Sequence, residues 1–224
     1  RDIDSDTLDG HQNDPKLLGN WRPIALLPCD SKILPSYLAS QLKNHVSRVV
    51  RPNQGAFVPG RSIHDNIMLM QQLLHRLRKS RAPTGVLFLD LAHAYDYISQ
   101  EFIIKVLRVM KFPDIFINAI ATLMNNQEGR CLVNGDLSPT FTVDNGGKQG
   151  DPLFPLIYII ANEALAALLE THPQYEGISI PGSERKFRIV NYADDTAIGY
   201  GSSADAAIVL NEVLPTFEAA SGNE

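Results

Sequence analysis

The chain has 224 residues, 44% of them hydrophobic and 20% charged, a balance that excludes a disordered chain and supplies a sizeable core for one large domain or two small ones. A net charge of −5 counts against a uniformly basic nucleic-acid binder, although Arg76, Arg78, Lys79 and Arg81 form a local basic cluster. Cys29 and Cys131 have no metal-ligand spacing; nothing in the sequence supports the alternative of a disulfide between them, and they read as two reduced, partly buried thiols of an intracellular protein.

The first residues, Arg1-Asp2-Ile3-Asp4-Ser5-Asp6, are acidic and polar and show no targeting pattern. The chain lacks an initiating Met and reads as part of something longer. Residues 1–20 read as a loop or linker, and Trp21 to Leu27 as a strand. Ser31 to Val50 has helical spacing in Ile33, Leu34, Tyr37, Leu38, Leu42 and Val46, with Pro35 in the first turn or at a kink. Residues 51–61 form a Pro- and Gly-rich loop. Ser62 and Asp65 predict a capping box for a helix striped by Ile63, Ile67, Met70, Leu74 and Leu77, whose basic end suits the helix dipole.

Val86 to Leu89 is a continuous apolar run ending in Asp90, the pattern of a buried strand. Ser99 caps the next helix (Phe102, Ile103, Val106, Leu107, Met110), and Pro113 opens another (Ile115, Phe116, Ala119, Ile120, Leu123). Residues 130–143 predict a hairpin turning at Asn134-Gly135, followed by a flexible bend at Asn145-Gly146-Gly147. Leu156 to Glu170 reads as a buried helix, and the longest apolar stretch, Leu153 to Leu169, as too short and too polar to span a membrane. Irregular alternation of helix and strand favours an α+β fold over a doubly wound sheet.

Tyr192-Ala193-Asp194-Asp195 lies between two short β-like runs, so it predicts the tip of a hairpin. Adjacent carboxylates repel each other, and a divalent cation offsets that repulsion. A bare Asp-Asp pair is also common on solvated loops. Asp90, at the mouth of an apolar strand, is the third acid: beside the hairpin, three carboxylates could hold two ions for phosphoryl chemistry.

Five blocks stand in the order of a reverse transcriptase of the non-LTR (LINE-like) retrotransposon type, which the chain resembles from residue 20 to residue 195. They are Asn20-Trp21-Arg22-Pro23-Ile24; Gln54-Gly55-Ala56-Phe57-Val58-Pro59-Gly60-Arg61; Phe88-Leu89-Asp90 through Ala94-Tyr95-Asp96; Gly146-Gly147-Lys148-Gln149-Gly150-Asp151-Pro152-Leu153; and Tyr192-Ala193-Asp194-Asp195. The resemblance implies an α+β right-hand polymerase with an antiparallel palm sheet packed on helices. It implies fingers at 1–85 and 122–150, palm at 86–121 and 151–224, and no thumb. It also implies an RNA-directed DNA polymerase that adds dNTPs to a DNA primer on an RNA template, with Mg²⁺ or Mn²⁺ as cofactor, no membrane partner, and a nuclear or cytoplasmic location.

By the same resemblance Asp90, Asp194 and Asp195 are the catalytic acids and metal ligands. Tyr95 is the aromatic under the incoming sugar, against the plainer reading of a core tyrosine. Arg22 reaches the triphosphate, Gln149 and Gly150 pack on the nucleotide, and Arg61 meets the template. The sequence departs from the family pattern at His93 (commonly Lys), Gly147 (commonly branched and apolar) and Phe154 (commonly Ser). Missing flanking parts and these departures keep two alternatives open: a degenerate palm that binds nucleic acid or a partner without catalysis, and a polymerase of the group II intron maturase or telomerase kind.

Overall fold

A computed structural model describes residues 24–78, 83–89, 94–180 and 186–222. Arg22, Lys79, Arg81, Asp90 and His93, and the loop expected over 1–20, lie outside the described residues.

Residues 24–28 are irregular rather than strand. After a 3₁₀ turn, helix α1 (Ile33–Lys43) and the short α2 (Val46–Val49) divide the single helix expected here. Pro35 sits in the first turn of α1, where its missing N–H costs nothing. The buried face is Pro35, Ala39, Leu42 and Val46, whereas Ile33, Leu34 and Tyr37, expected in the stripe, are exposed.

Helix α3 (Ile63–Leu77) starts at Ser62, whose Oγ accepts from the His64 N–H. Its packed face is Met70, Leu73 and Leu77; Ile63, Ile67 and Leu74 of the expected stripe are exposed.

Strand β1 (Gly85–Leu89) and the short α4 (Ala94–Tyr97) precede α5 (Gln100–Val109), which Ser99 caps through the Phe102 N–H. Pro113 opens α6 (Asp114–Met124), which buries Ile117, Ile120 and Met124 and leaves Ile115 exposed. Strands β2 (Gln127–Gly129) and β5 (Phe141–Val143) pair antiparallel. Between them, β3 (Leu132–Val133) and β4 (Asp136–Leu137) close on Asn134-Gly135, both at positive φ (52° and 95°), as an Asn-Gly hairpin turn requires.

The expected buried helix is two helices, α7 (Phe154–Ala161) and α8 (Glu163–Thr171), meeting at Asn162. Phe154–Thr171, 18 residues, is long and apolar enough to cross a bilayer by length and composition, contrary to the sequence reading. Yet 67% of it is buried inside the fold, and it supplies the centre of the core.

Strands β6 (Ile178–Ser179) and β7 (Lys186–Phe187) pair antiparallel, and then β8 (Ile189–Tyr192) and β9 (Asp195–Tyr200) form the final hairpin. Helix α9 (Ser203–Ile208), a π turn over Val209–Val213 and α10 (Leu214–Ser221) end the described chain.

The principal sheet is antiparallel, in the order β1-β9-β8, with β9 central. Alternation puts Leu87, Leu89, Ile189 and Ile198 on the core that includes α5, α7 and α10. Val86, Val190 and Ala197 face a smaller cluster built on Leu73 of α3. The run ending in Asp90 is therefore an edge strand, not a buried one, and its Phe88 is 64% exposed. Cys29 and Cys131 are free, as expected, but exposed rather than partly buried.

Candidate active site

Tyr192 pairs with Asp195, so Ala193 and Asp194 form a two-residue turn at the tip of the β8–β9 hairpin. Ala193 has φ 56°, a left-handed conformation that a residue with a Cβ seldom adopts unless its surroundings hold it there. Gln54 does the holding. Its side chain is 1% exposed; Oε1 accepts from the Ala193 N–H at 3.0 Å, and Nε2 donates to the Ala193 carbonyl at 3.3 Å. Oε1 also accepts from the Ala56 N–H at 2.9 Å, which fixes the amide's orientation.

The same loop is stitched along β8. The Gly55 N–H donates to the Asn191 carbonyl and the Asn191 N–H to the Asn53 carbonyl, each at 2.8 Å. Asn66 of α3 adds a bond from Nδ2 to the Asn191 carbonyl at 2.9 Å. A Cβ on Gly55 would lie 2.8 Å from that Asn66 nitrogen, so this approach needs glycine.

The two acids of the turn have different surroundings. Asp194 lies beside Tyr95 and Tyr158. Both phenols are held protonated well above the usual tyrosine range, first by burial and then by the Asp194 carboxylate. Asp195 is exposed and lines a groove of about 500 Å³ with Asn66, Phe88, Val190 and Tyr192. Among the described residues no cation pairs with either carboxylate. Hard carboxylate oxygens on a fixed turn suit Mg²⁺ or Mn²⁺. Among the described residues no group of three or more metal-ligating side chains is assembled; Asp90, the third acid of the expected set, lies outside them.

Tyr95 stacks on Tyr158 with centroids 4.4 Å apart and planes at 20°, and tilts against Phe154 at 5.9 Å and 56°. Among the described residues the buried Tyr158 hydroxyl has no hydrogen-bond partner. Behind Tyr95, the bend expected to be flexible is bonded in place. The Gly146 N–H donates to the Ile98 carbonyl at 2.7 Å and the Gly147 N–H to the Tyr95 carbonyl at 3.2 Å. Gly146 has φ 68°, and a Cβ there would fall 2.5 Å from the Tyr95 carbonyl oxygen.

Family comparison matches residues 11–222 to the reverse transcriptase (RNA-dependent DNA polymerase) model. The chain belongs to the reverse transcriptase family. Among its relatives, it is 30% identical over 187 residues to a transposon TX1 149 kDa protein of Xenopus laevis, covering 84% of this chain and 14% of that protein. It is 26% identical over 188 residues to a retrovirus-related Pol polyprotein of a type-1 R2 element from Popillia japonica (84% and 25%). It is 27% identical over 201 residues to the R2DM polyprotein of Drosophila melanogaster (87% and 18%). The chain thus spans a quarter or less of these relatives. In structure it resembles telomerase from Candida tropicalis, at TM-score 0.58 and 10% identity, over 87% of this chain and 32% of that one. Telomerase from Candida albicans gives TM-score 0.52 at 14% identity, covering 86% and 33%. These likenesses show a shared mixed α+β fold.

Within this reverse transcriptase domain, Asp194 and Tyr95 come together, Asp195 lines the groove instead, and Asp90 and Arg22 lie outside the described residues. Gln149 and Gly150 are exposed; Gly150 has φ 82° and open space where a Cβ would stand. Arg61 is turned to the loop itself: Nη1 donates to the carbonyls of Arg51 (2.6 Å) and Gln54 (2.7 Å), and Nη2 to that of Val50 (2.9 Å). Sequence reasoning quoted Gln54 within a block but gave it no role. Its one signal is a polar residue beside Gly55 in a Pro- and Gly-rich, tightly turned segment.

Proposed function

We propose that this chain is the fingers and palm of an RNA-directed DNA polymerase, in which Asp90, Asp194 and Asp195 hold Mg²⁺ or Mn²⁺. The observation that carries this reading is the pinned Asp194–Asp195 turn at the end of an antiparallel sheet. The register supports it: β1 ends at Leu89, which pairs with Thr196, the residue after Asp195, and Asp90 is the next residue in the sequence. Bound divalent ions would lower the pKa of the primer hydroxyl and neutralise charge on the triphosphate.

The chain's own residues position the reactants. Asp194 is the main ligand of the turn, because it faces the Tyr95 side where the sugar would lie, and Asp195 supports from the groove. Tyr95 presents a protonated, uncharged ring to the incoming sugar, where a 2′-hydroxyl would clash and a deoxyribose would fit. Gln149 and Gly150 bed the nucleotide with an exposed amide and an unobstructed backbone. Arg22 would reach the triphosphate. Arg61 shapes the template-side loop through the carbonyls it gathers. The fingers comprise residues 1–85 and 122–150, and the palm 86–121 and 151–224. Helices α5 and α7 and strands β8 and β9, which carry the turn and its core, all fall in the palm segments. The R2 relatives are Pol polyproteins, and the Candida telomerases are described with a fragment of telomeric RNA. An RNA template and DNA primer are accordingly the partners proposed here.

The test is template-directed addition of one dNTP to a DNA primer annealed to RNA, with enzyme in excess, Mg²⁺, and low salt to strengthen phosphate contacts. The expected result is addition of the complementary dNTP, reduced about 100-fold or more by Asp194→Asn. Primer–template binding without addition above the Asp194→Asn background would replace this reading with a non-catalytic palm.

A further inference from the structure

Gly147 and Phe154, two positions where the sequence departs from the pattern it resembles, meet in space. A Cβ on Gly147 would lie 2.1–2.3 Å from Cδ2, Cε2 and Cγ of the Phe154 ring, so the ring occupies the volume that any larger residue at 147 would need. Phe154 is buried (5% exposed) and fixed at the start of α7. The Asp151 carboxylate accepts from the Leu153 N–H at 2.7 Å and from the Phe154 N–H at 3.3 Å. From there the ring leans on Tyr95 at 5.9 Å and 56°, one helical turn before Tyr158, on which Tyr95 stacks. The backbone of the same bend takes hold of Tyr95 as well, through the Gly147 N–H and the Tyr95 carbonyl.

We propose that Gly147 and Phe154 are a single compensated exchange, and that Phe154 is a positioning residue that wedges Tyr95 against Tyr158 and so sets discrimination at the sugar 2′ position. This rests on the reading of Tyr95 given above. With Ser at 154 and Gly at 147, a ring-sized space opens beside Tyr95, and the ring can turn from the sugar. With a branched residue at 147 and Phe retained at 154, the two collide. Only when both change together is the space filled again, because the branched side chain at 147 then takes the place of the Phe154 ring.

The test compares wild type, G147V, F154S, G147V/F154S, F154L and Tyr95→Ala, each as the whole chain. The first readout, unfolding in urea, needs no activity. Each single change lowers the midpoint, and the double variant is more stable than the sum of the singles predicts. The second is the ratio of kcat/KM for dNTP to that for the matching rNTP. F154S lowers it about three- to tenfold, the worth of one aromatic contact, and the double variant regains part of the loss. F154L, which keeps bulk and folding but loses the flat ring, falls between. Additive losses of stability overturn the exchange. If F154S and F154L fold and discriminate like wild type while Tyr95→Ala does not, the wedge is overturned. If Tyr95→Ala also leaves discrimination unchanged, the sugar-facing reading of Tyr95 has failed and the wedge with it. If wild type adds no nucleotide, the polymerase reading has failed and the wedge with it, and the unfolding coupling alone still judges the exchange.

Discussion

Gln54→Ala removes three buried hydrogen bonds at once: from the Ala193 N–H, to the Ala193 carbonyl and from the Ala56 N–H. Ala193 and Ala56 are 8% and 1% exposed, so water replaces these partners only if it enters the space the amide vacates. At about 1 kcal/mol per bond, the expected loss is about 3 kcal/mol, or about 6–12 °C in Tm for a domain of this size. Gln127→Ala is the matched control. Gln127 is also buried (5% exposed), but among the described residues it makes one side-chain bond, to the Leu123 carbonyl at 3.0 Å, and the expected loss is about 1 kcal/mol. Because Ala193 is held at φ 56°, releasing it also lets the turn relax toward ordinary backbone, so nucleotide addition falls further in Gln54→Ala than in Gln127→Ala at equal folded fraction. Urea unfolding followed by single-nucleotide addition on the folded protein measures both. Equal destabilisation by the two variants, or a folded Gln54→Ala with wild-type addition, would refute the claim that this amide holds the turn.

Three other outcomes follow from the same geometry. Gly146→Ala, at φ 68° with its Cβ 2.5 Å from the Tyr95 carbonyl, costs at least about 2–3 kcal/mol in urea unfolding, whereas Gly60→Ala, at φ 81° in open space, costs only about 1–2. Tyr95→Ala lowers the preference for dNTP over rNTP about tenfold or more in paired single-nucleotide kinetics. Glu163, whose side chain is 4% exposed, pairs with Arg51 at 2.7 Å, and burial raises its carboxyl pKa despite that partner. As pH rises above the ordinary value of about 4.5, the unfolded chain releases this proton before the folded one does. Glu163's contribution to stability is therefore complete below that pH and is lost as pH climbs through the raised folded value, by at most about 1.4 kcal/mol per pH unit. Glu163→Gln flattens that part of the stability–pH curve, as urea midpoints from pH 4 to pH 7 would show.

Local signals in the sequence carried the features that depend on local chemistry. Ser62 and Ser99 each cap the helix they precede, Asn134-Gly135 turns its hairpin, and Tyr192 to Asp195 closes one. The α+β class was legible from the same elements. Which side of a helix is buried was less legible, because apolar spacing marks a stripe without saying what covers it. On α1 the buried line runs through Pro35 and Ala39 rather than Ile33 and Tyr37, and on α3 it runs through Leu73 rather than Ile67. The strand 85–89 is apolar without being central, since Phe88 projects from an edge strand. The Gln54 clasp joins residues 139 apart in the chain, and no periodicity reports a contact of that range. The meeting of Gly147 with Phe154 was equally out of reach: the sequence shows both departures, and only the fold shows that one makes room for the other.

The most direct test of the central claim, that the hairpin tip gathers a divalent cation, is Mn²⁺ titration of the folded chain followed by electron paramagnetic resonance, with and without a dNTP. Bound Mn²⁺ should rise when the dNTP is added, and Asp194→Asn and Asp90→Asn should each weaken that binding about tenfold or more while the chain stays folded. Mn²⁺ binding that is indifferent to both substitutions would contradict the account.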